Sequence, residues 1–133
     1  MKSILLTYFI FFLVALFLDQ STKFLATQSG IIVVQNSGVS LGLGSHIPNS
    51  VLSVSLVGFL VFFFFALRTF WLKYPALSGV FFGSSISNVL DRIFLGGVRD
   101  WIFLPSFSLR NNIADCLLLC AIAGIAWKEM RKK

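Results

Sequence analysis

Four apolar stretches divide the 133-residue chain. The first runs from Ser3 to about Leu18. It continues through Asp19-Gln20-Ser21-Thr22-Lys23-Phe24-Leu25-Ala26, a polar extension that a helix can carry. A basic start and a short apolar core also fit a secretory signal peptide. No clear small-x-small cleavage site follows, so the pattern predicts a retained helix over about 3–27. The second stretch, Val51 to Leu67, opens shortly after Pro48. The third, roughly Ala76 to Leu95, is interrupted by Gly83, Ser84, Ser85, Ser87, Asn88, Asp91 and Arg92, and the fourth is Ile113 to Trp127. With flanks, each is near the ~20 residues that cross a bilayer. The expectation is an all-α membrane protein, one domain over 1–133, with four transmembrane helices at about 3–27, 51–67, 76–95 and 113–127.

The connections differ in kind. Arg68 to Pro75 is short and basic and reads as a turn. The segment from about Gln28 to Ser50 is long for a structureless loop. It holds the β-branched run Ile31-Ile32-Val33-Val34, followed by Gln35-Asn36-Ser37-Gly38 as a turn signal. Between the third and fourth helices, Val98-Arg99-Asp100-Trp101-Ile102-Phe103-Leu104 is also strand-like and stops at Pro105. The two segments are expected to pair as a small β-sheet on the outer face of the membrane.

Composition agrees with that pattern. The chain is 57% hydrophobic and 12% charged, with sixteen Phe. A soluble domain of this size needs more polar surface, and disorder is excluded on the same ground. The net charge of +6 would suggest nucleic acid in a soluble protein. Here four helices place both termini on one side with Lys2, Arg68, Lys73, Lys128, Arg131, Lys132, Lys133 and a single acid, Glu129. The other side has Lys23, Arg92, Arg99 and Arg110, balanced by Asp19, Asp91, Asp100 and Asp115. The excess is thus a topology signal that makes both termini cytoplasmic, and no nucleic-acid partner is called for. Cys116 and Cys120 lie four apart in an apolar run and read as small helix residues. A structural metal site usually needs four ligands, and His46 is the chain's only histidine. No metal or cofactor is expected.

Ionisable residues at membrane depth are costly and read as functional by default. Asp115 falls in the first turn of the fourth helix, and Asn111 and Asn112 precede it by four and three, sharing its face. Asn88, Asp91 and Arg92 repeat the i, i+3, i+4 spacing in the third helix. Asp91 and Arg92 are adjacent and need not pair with each other. Asp19 and Lys23 form an i, i+4 pair, which reads equally as a helix-end ion pair. Asn111 or Asn112 can cap the fourth helix. Asp100 lies in the strand-like segment. A Ser-His-Asp set is missing, and Gly42-Leu43-Gly44 lacks a phosphate-loop lysine. Two aspartates on adjacent segments instead suggest a pair that shares one proton, one acting as base and the other as acid.

These segments together resemble the lipoprotein signal peptidases (signal peptidase II). Asp19-Gln20-x-Thr22-Lys23 resembles the end of that family's first helix. Asn36-Ser37-Gly38-Val39-Ser40-Leu41-Gly42 resembles its Asn-x-Gly-x-Ala-Phe-Gly segment. Gly83 to Arg92 is similar to its Gly-Gly-x-x-Gly-Asn-x-x-Asp-Arg block. Gly96-Gly97-Val98-Arg99-Asp100-Trp101 resembles Gly-x-Val-Val-Asp-Phe, and Asn111-Asn112-Ile113-Ala114-Asp115 resembles Phe-Asn-x-Ala-Asp. The resemblance implies an aspartic endopeptidase with Asp100 and Asp115 as catalytic dyad. Its substrate would be a diacylglyceryl-modified prolipoprotein, cut before the lipidated cysteine. By the same resemblance Asn36, Gly38, Asn88, Asp91, Arg92 and Asn112 serve the site, with Asp19 and Lys23 as a supporting pair. A monomer in the bacterial cytoplasmic (inner) membrane, among membrane lipids and with its site near the outer face, is implied. Arg99 stands where the family has Val, bringing a charge next to Asp100. A small proton- or ion-coupled carrier and a non-catalytic lipopeptide-binding relative are the alternatives. A carrier should hold acids near the bilayer centre, often with inverted repeats; here the acids cluster near the outer helix ends, and no repeat is visible.

Overall fold

The computed structural model describes residues 2–38, 47–107 and 109–132. His46, Gly42 and Gly44 lie outside them, as do Ser40 and Leu41. Among the described residues there are five helices: α1 (Lys2–Gln28), α2 (Asn49–Ala66), α3 (Arg68–Lys73), α4 (Pro75–Leu95) and α5 (Ile113–Met130). Two of them, α1 and α2, are long and apolar enough to cross a membrane.

The expected basic turn after the second helix is instead the short helix α3. The chain breaks at Leu67 (φ −112°, ψ 26°) and restarts at once. Tertiary packing accounts for this. Trp71 is buried, stacks on Phe81 at 5.7 Å, and donates its indole N–H to the Phe63 carbonyl at 3.1 Å. Pro75 then sits in the first turn of α4, where a missing N–H costs nothing. Gly96 ends α4 in the left-handed region at φ 79°.

Helix α4 is the hub, packing on α1, α2, α3 and α5. It runs parallel to α1. Gly79 faces the Tyr8 carbonyl and Gly83 the Phe12 carbonyl, so close that a Cβ at either position would collide with backbone. Small residues are what permit such helix contact in an apolar solvent. Tyr8, Phe12, Phe63, Phe64, Phe81 and Phe82 fill the space between α1, α2 and α4 beside Trp71.

The burial pattern is the reverse of a soluble protein's. Asp19 and Lys23 are 0% exposed, whereas Phe17 is 65% and Phe62 70% exposed. Charge is inside and apolar surface outside, as a lipid solvent requires.

The strands form two small antiparallel pairs rather than one sheet. β1 (Val34–Asn36) pairs with β2 (Val98–Asp100) in the register Val34↔Asp100 and Asn36↔Val98. β3 (Ile102–Leu104) pairs with β4 (Leu109–Asn111) across a 3₁₀ turn at Pro105–Phe107. The strand-like run over 98–104 is therefore split at Trp101. The first strand also begins later than its β-branched run: Ile31 and Ile32 stay outside the ladder, and Gln35 and Asn36, expected in a turn, are inside it.

Candidate active site

The polar ends of α1, α4 and α5 meet beneath β1 and β2. Asn112 is the N-cap of α5, and its side-chain oxygen accepts from the Asp115 N–H at 2.9 Å. The same amide donates from Nδ2 to Asp100 Oδ1 at 2.7 Å. One fully buried side chain thus ties both aspartates together. Asn36 Nδ2 donates to the other Asp100 oxygen at 3.0 Å, and Asn88 Nδ2 donates to Asp115 Oδ1 at 2.9 Å. Burial pushes the Asp100 carboxyl above the usual carboxylate range, against the downward pull of the Asn36 and Asn112 amides.

Both aspartates line a cavity of about 800 Å³ together with Asn36, Gly38, Asn88 and Arg92. Its remaining wall is largely apolar and includes Leu56 and Phe59 from α2, Phe81 from α4, and Leu119 and Ile122 from α5. Arg92 Nη2 donates to the Gly38 carbonyl at 2.6 Å, and the Gly38 N–H donates to Asn36 Oδ1 at 3.0 Å. Arg92 forms no ion pair among the described residues, and its Nε has no hydrogen-bond acceptor there.

Behind the cavity lies a second cluster. Lys23 Nζ contacts Asp19 Oδ2 at 2.6 Å, Asn88 Oδ1 at 2.8 Å and Asp91 Oδ2 at 3.2 Å. The Asp19 carboxylate also accepts from Ser87 Oγ at 2.6 Å and from the Ala114 N–H at 2.8 Å. It therefore satisfies an orphan amide at the start of α5 from across the bundle. A helix-end ion pair would be exposed to solvent; this one is sealed. Arg99 closes the cluster: Nη2 reaches Asp91 Oδ1 at 2.7 Å and Gln20 Oε1 at 2.7 Å, and Nε reaches Asp91 Oδ2 at 3.2 Å.

The placement differs from the sequence reading in three ways. Asp91 does not reach the cavity, being held on its far side by Lys23, Arg99 and Gln20. Asn111 belongs to β4 and not to the Asp115 face of α5, because the helix starts only after Asn112. Arg99 points away from Asp100, since neighbours on a strand face opposite sides. The polar contacts of Gln20, Ser87 and Asn49 were not anticipated. Asn49 Nδ2 donates to the Arg92 carbonyl at 2.6 Å, and its position before the second apolar stretch was the available signal.

The arrangement can bind an extended apolar group along the helices while presenting two carboxylates to its polar end. A model of the signal peptidase II family matches residues 11–131. A lipoprotein signal peptidase of Campylobacter jejuni is 31% identical over 103 residues, covering 74% of this chain and 65% of that protein. That of Helicobacter pylori is 30% identical over 141 residues, covering 96% and 88%. The chain thus spans just under two thirds of the length of the Campylobacter relative. Among solved structures, a bacterial membrane enzyme determined in meso at 2.3 Å has the same fold, with a TM-score of 0.71 at 20% identity, covering 94% of this chain and 88% of that one.

Proposed function

The chain belongs to the signal peptidase II family, and from that premise we propose that it is an aspartic endopeptidase. It removes signal peptides from diacylglyceryl-modified prolipoproteins by cutting before the lipidated cysteine. The observation that carries the proposal is Asn112, whose one amide group binds both Asp100 and the Asp115 backbone at the polar end of an apolar cavity. In this reading α1, α2, α4 and α5 cross the bacterial cytoplasmic membrane as one unit, with both termini cytoplasmic and the aspartates near the outer face.

The chemistry follows from a pair holding one proton. The ionised carboxylate takes a proton from water as the water oxygen attacks the scissile carbonyl. The protonated partner gives its proton to the carbonyl oxygen, forming a neutral tetrahedral gem-diol. Collapse breaks the C–N bond as one carboxyl protonates the leaving nitrogen and the other recovers the diol proton. Arg92, without a carboxylate of its own, is placed to balance charge or to hold a substrate carbonyl. The acyl chains lie along Leu56, Phe59, Leu119 and Ile122, each buried CH₂ contributing ~0.8 kcal/mol.

The test is cleavage of a lipidated prolipoprotein by the purified protein. Asp100→Asn and Asp115→Asn are each expected to lower turnover by at least the ~10²–10⁴ typical of a lost acid–base group, with folding intact by circular dichroism. Either variant turning over at the parental rate removes that residue from the mechanism.

A further inference from the structure

The end of the bundle opposite the aspartates carries a second organised site. Tyr74, buried between α3 and α4, is ringed by three ammonium groups. Lys132 Nζ lies 4.8 Å from the ring centroid, Lys73 5.5 Å and Lys128 5.8 Å. The phenol donates to Glu129 Oε1 at 2.5 Å and accepts from Lys132 at 2.5 Å. Glu129 also binds Lys73 at 2.6 Å and lies 3.8 Å from Lys132. Lys128 forms no ion pair among the described residues. With Arg68 and Arg131, this end has five cations between residues 68 and 132 against the single carboxylate of Glu129. The contrast with the other end is sharp, for there Asp19, Asp91, Lys23 and Arg99 cancel.

Three like charges around one ring repel one another. The faces of Tyr74 and one carboxylate offset only part of that. A further anion placed among the lysines would be attracted by all three.

The surroundings say what kind of anion. Arg131 stacks over Trp127 at 5.1 Å, and Trp127 is itself 56% exposed. Met130, one helical turn on, is exposed as well. A tryptophan next to bases at the end of apolar helices marks a membrane–water interface. A soluble phosphate would use the charges and leave this apolar surface bare; an anionic lipid uses both.

We propose that Lys73, Lys128 and Lys132 around Tyr74 form a binding site for the phosphodiester headgroup of an anionic phospholipid. Its acyl chains lie along the apolar surface of α5 next to Trp127. The site concerns lipid binding alone and is independent of peptidase activity, though it assumes that the bundle spans a bilayer.

The experiment is tryptophan quenching in vesicles of the full-length protein containing brominated phosphatidylglycerol or brominated phosphatidylcholine. The phosphatidylglycerol is expected to quench preferentially. Lys128→Gln and Lys132→Gln are each expected to weaken that preference about fivefold, the effect of one basic residue at a charged membrane surface. Both side chains lie at the bundle's surface, so the variants fold, and prolipoprotein cleavage stays at the parental rate. Equal quenching by the two lipids overturns the site. So does a preference that the two variants leave unchanged. If soluble glycerol phosphate abolishes the preference, the ligand is a free phosphate ester and the assignment to lipid fails.

Discussion

Arg99→Val installs the residue that the family resemblance implies at this position, and the structure gives its consequence a direction and a size. Arg99 is adjacent to Asp100, so a sequence argument has it perturbing the dyad. In β2, however, the two side chains lie on opposite faces. The guanidinium spends its contacts on Asp91 and Gln20, at 2.7, 3.2 and 2.7 Å, and is 19% exposed. Valine removes all three contacts. Asp91 is not stranded, because it keeps Lys23 at 3.2 Å, the Gln20 amide at 3.0 Å and the residue-99 backbone N–H at 3.0 Å. The full penalty for orphaning a buried charge therefore does not apply. What is lost is the forked pair to Asp91 and the contact to Gln20, offset by the side chain's part exposure, for a net cost of roughly 1.5–3 kcal/mol.

Thermal unfolding of the purified protein in detergent, followed by circular dichroism, is expected to show that loss, with Arg99→Lys intermediate because it keeps the charge without the fork. Cleavage at a temperature where both proteins are folded is expected to keep its pH profile. A variant of parental stability whose pH profile has moved would refute the reasoning, because Arg99 would then be acting on Asp100 and not on Asp91.

Lys23→Met removes the cation shared by Asp19 and Asp91, and such removals from a buried pair cost about 3–5 kcal/mol. The variant is expected to unfold at much lower temperature, while Asp19→Asn/Lys23→Met recovers part of the loss. Gly83→Ala forces a methyl group into the Phe12 carbonyl and should cost about 1–3 kcal/mol by overpacking, read as a lowered unfolding temperature; no change would mean that α1 and α4 are farther apart than described. Turnover should fall on the acid side as the aspartate pair takes a second proton and on the alkaline side as it loses its last. Because burial raises Asp100, the alkaline limb should lie above the ordinary carboxylate range, and a rate still rising there with pH would contradict a shared proton.

Much of the fold could be read from the hydrophobic pattern because helix ends here coincide with changes in polarity. The four long helices fall within a few residues of the apolar stretches. Where the reading failed, tertiary contacts had decided. Arg68-Thr69-Phe70-Trp71-Leu72-Lys73 looks like a basic turn until Trp71 has an aromatic pocket and a carbonyl to enter. Asn36 lies in a strand despite poor strand propensity, because the β1–β2 register carries its amide to Asp100. Leu109-Arg110-Asn111 has little strand character of its own and is held by pairing with Ile102-Phe103-Leu104. Asn88 and Asp115, 27 residues apart, could be placed near each other from spacing and helix order. That Arg99 would meet Asp91 could not, since the meeting depends on the reversal at Gly96-Gly97.

The two polar clusters divide the charge in a way that bears on the proposed chemistry. Behind the cavity, Asp19 and Asp91 are matched by Lys23 and Arg99, so that group is neutral with every member ionised. Inside the cavity, Arg92 faces two carboxyl groups. Arg110 also lines the cavity but is bound to the Ile32 carbonyl on its exposed side. Arg92 and the two aspartates alone sum to zero when Asp100 and Asp115 together carry one negative charge, the state with one shared proton. A low-dielectric surrounding penalises net charge, so in the proposed mechanism the buried Arg92 favours this state. Asn88 joins the two groups, accepting from Lys23 through its oxygen and donating to Asp115 through its nitrogen. Its orientation is thereby fixed by Lys23, and Asp115 receives a donor rather than a second acceptor. The buried lysine thus aligns the aspartate through an amide without touching it.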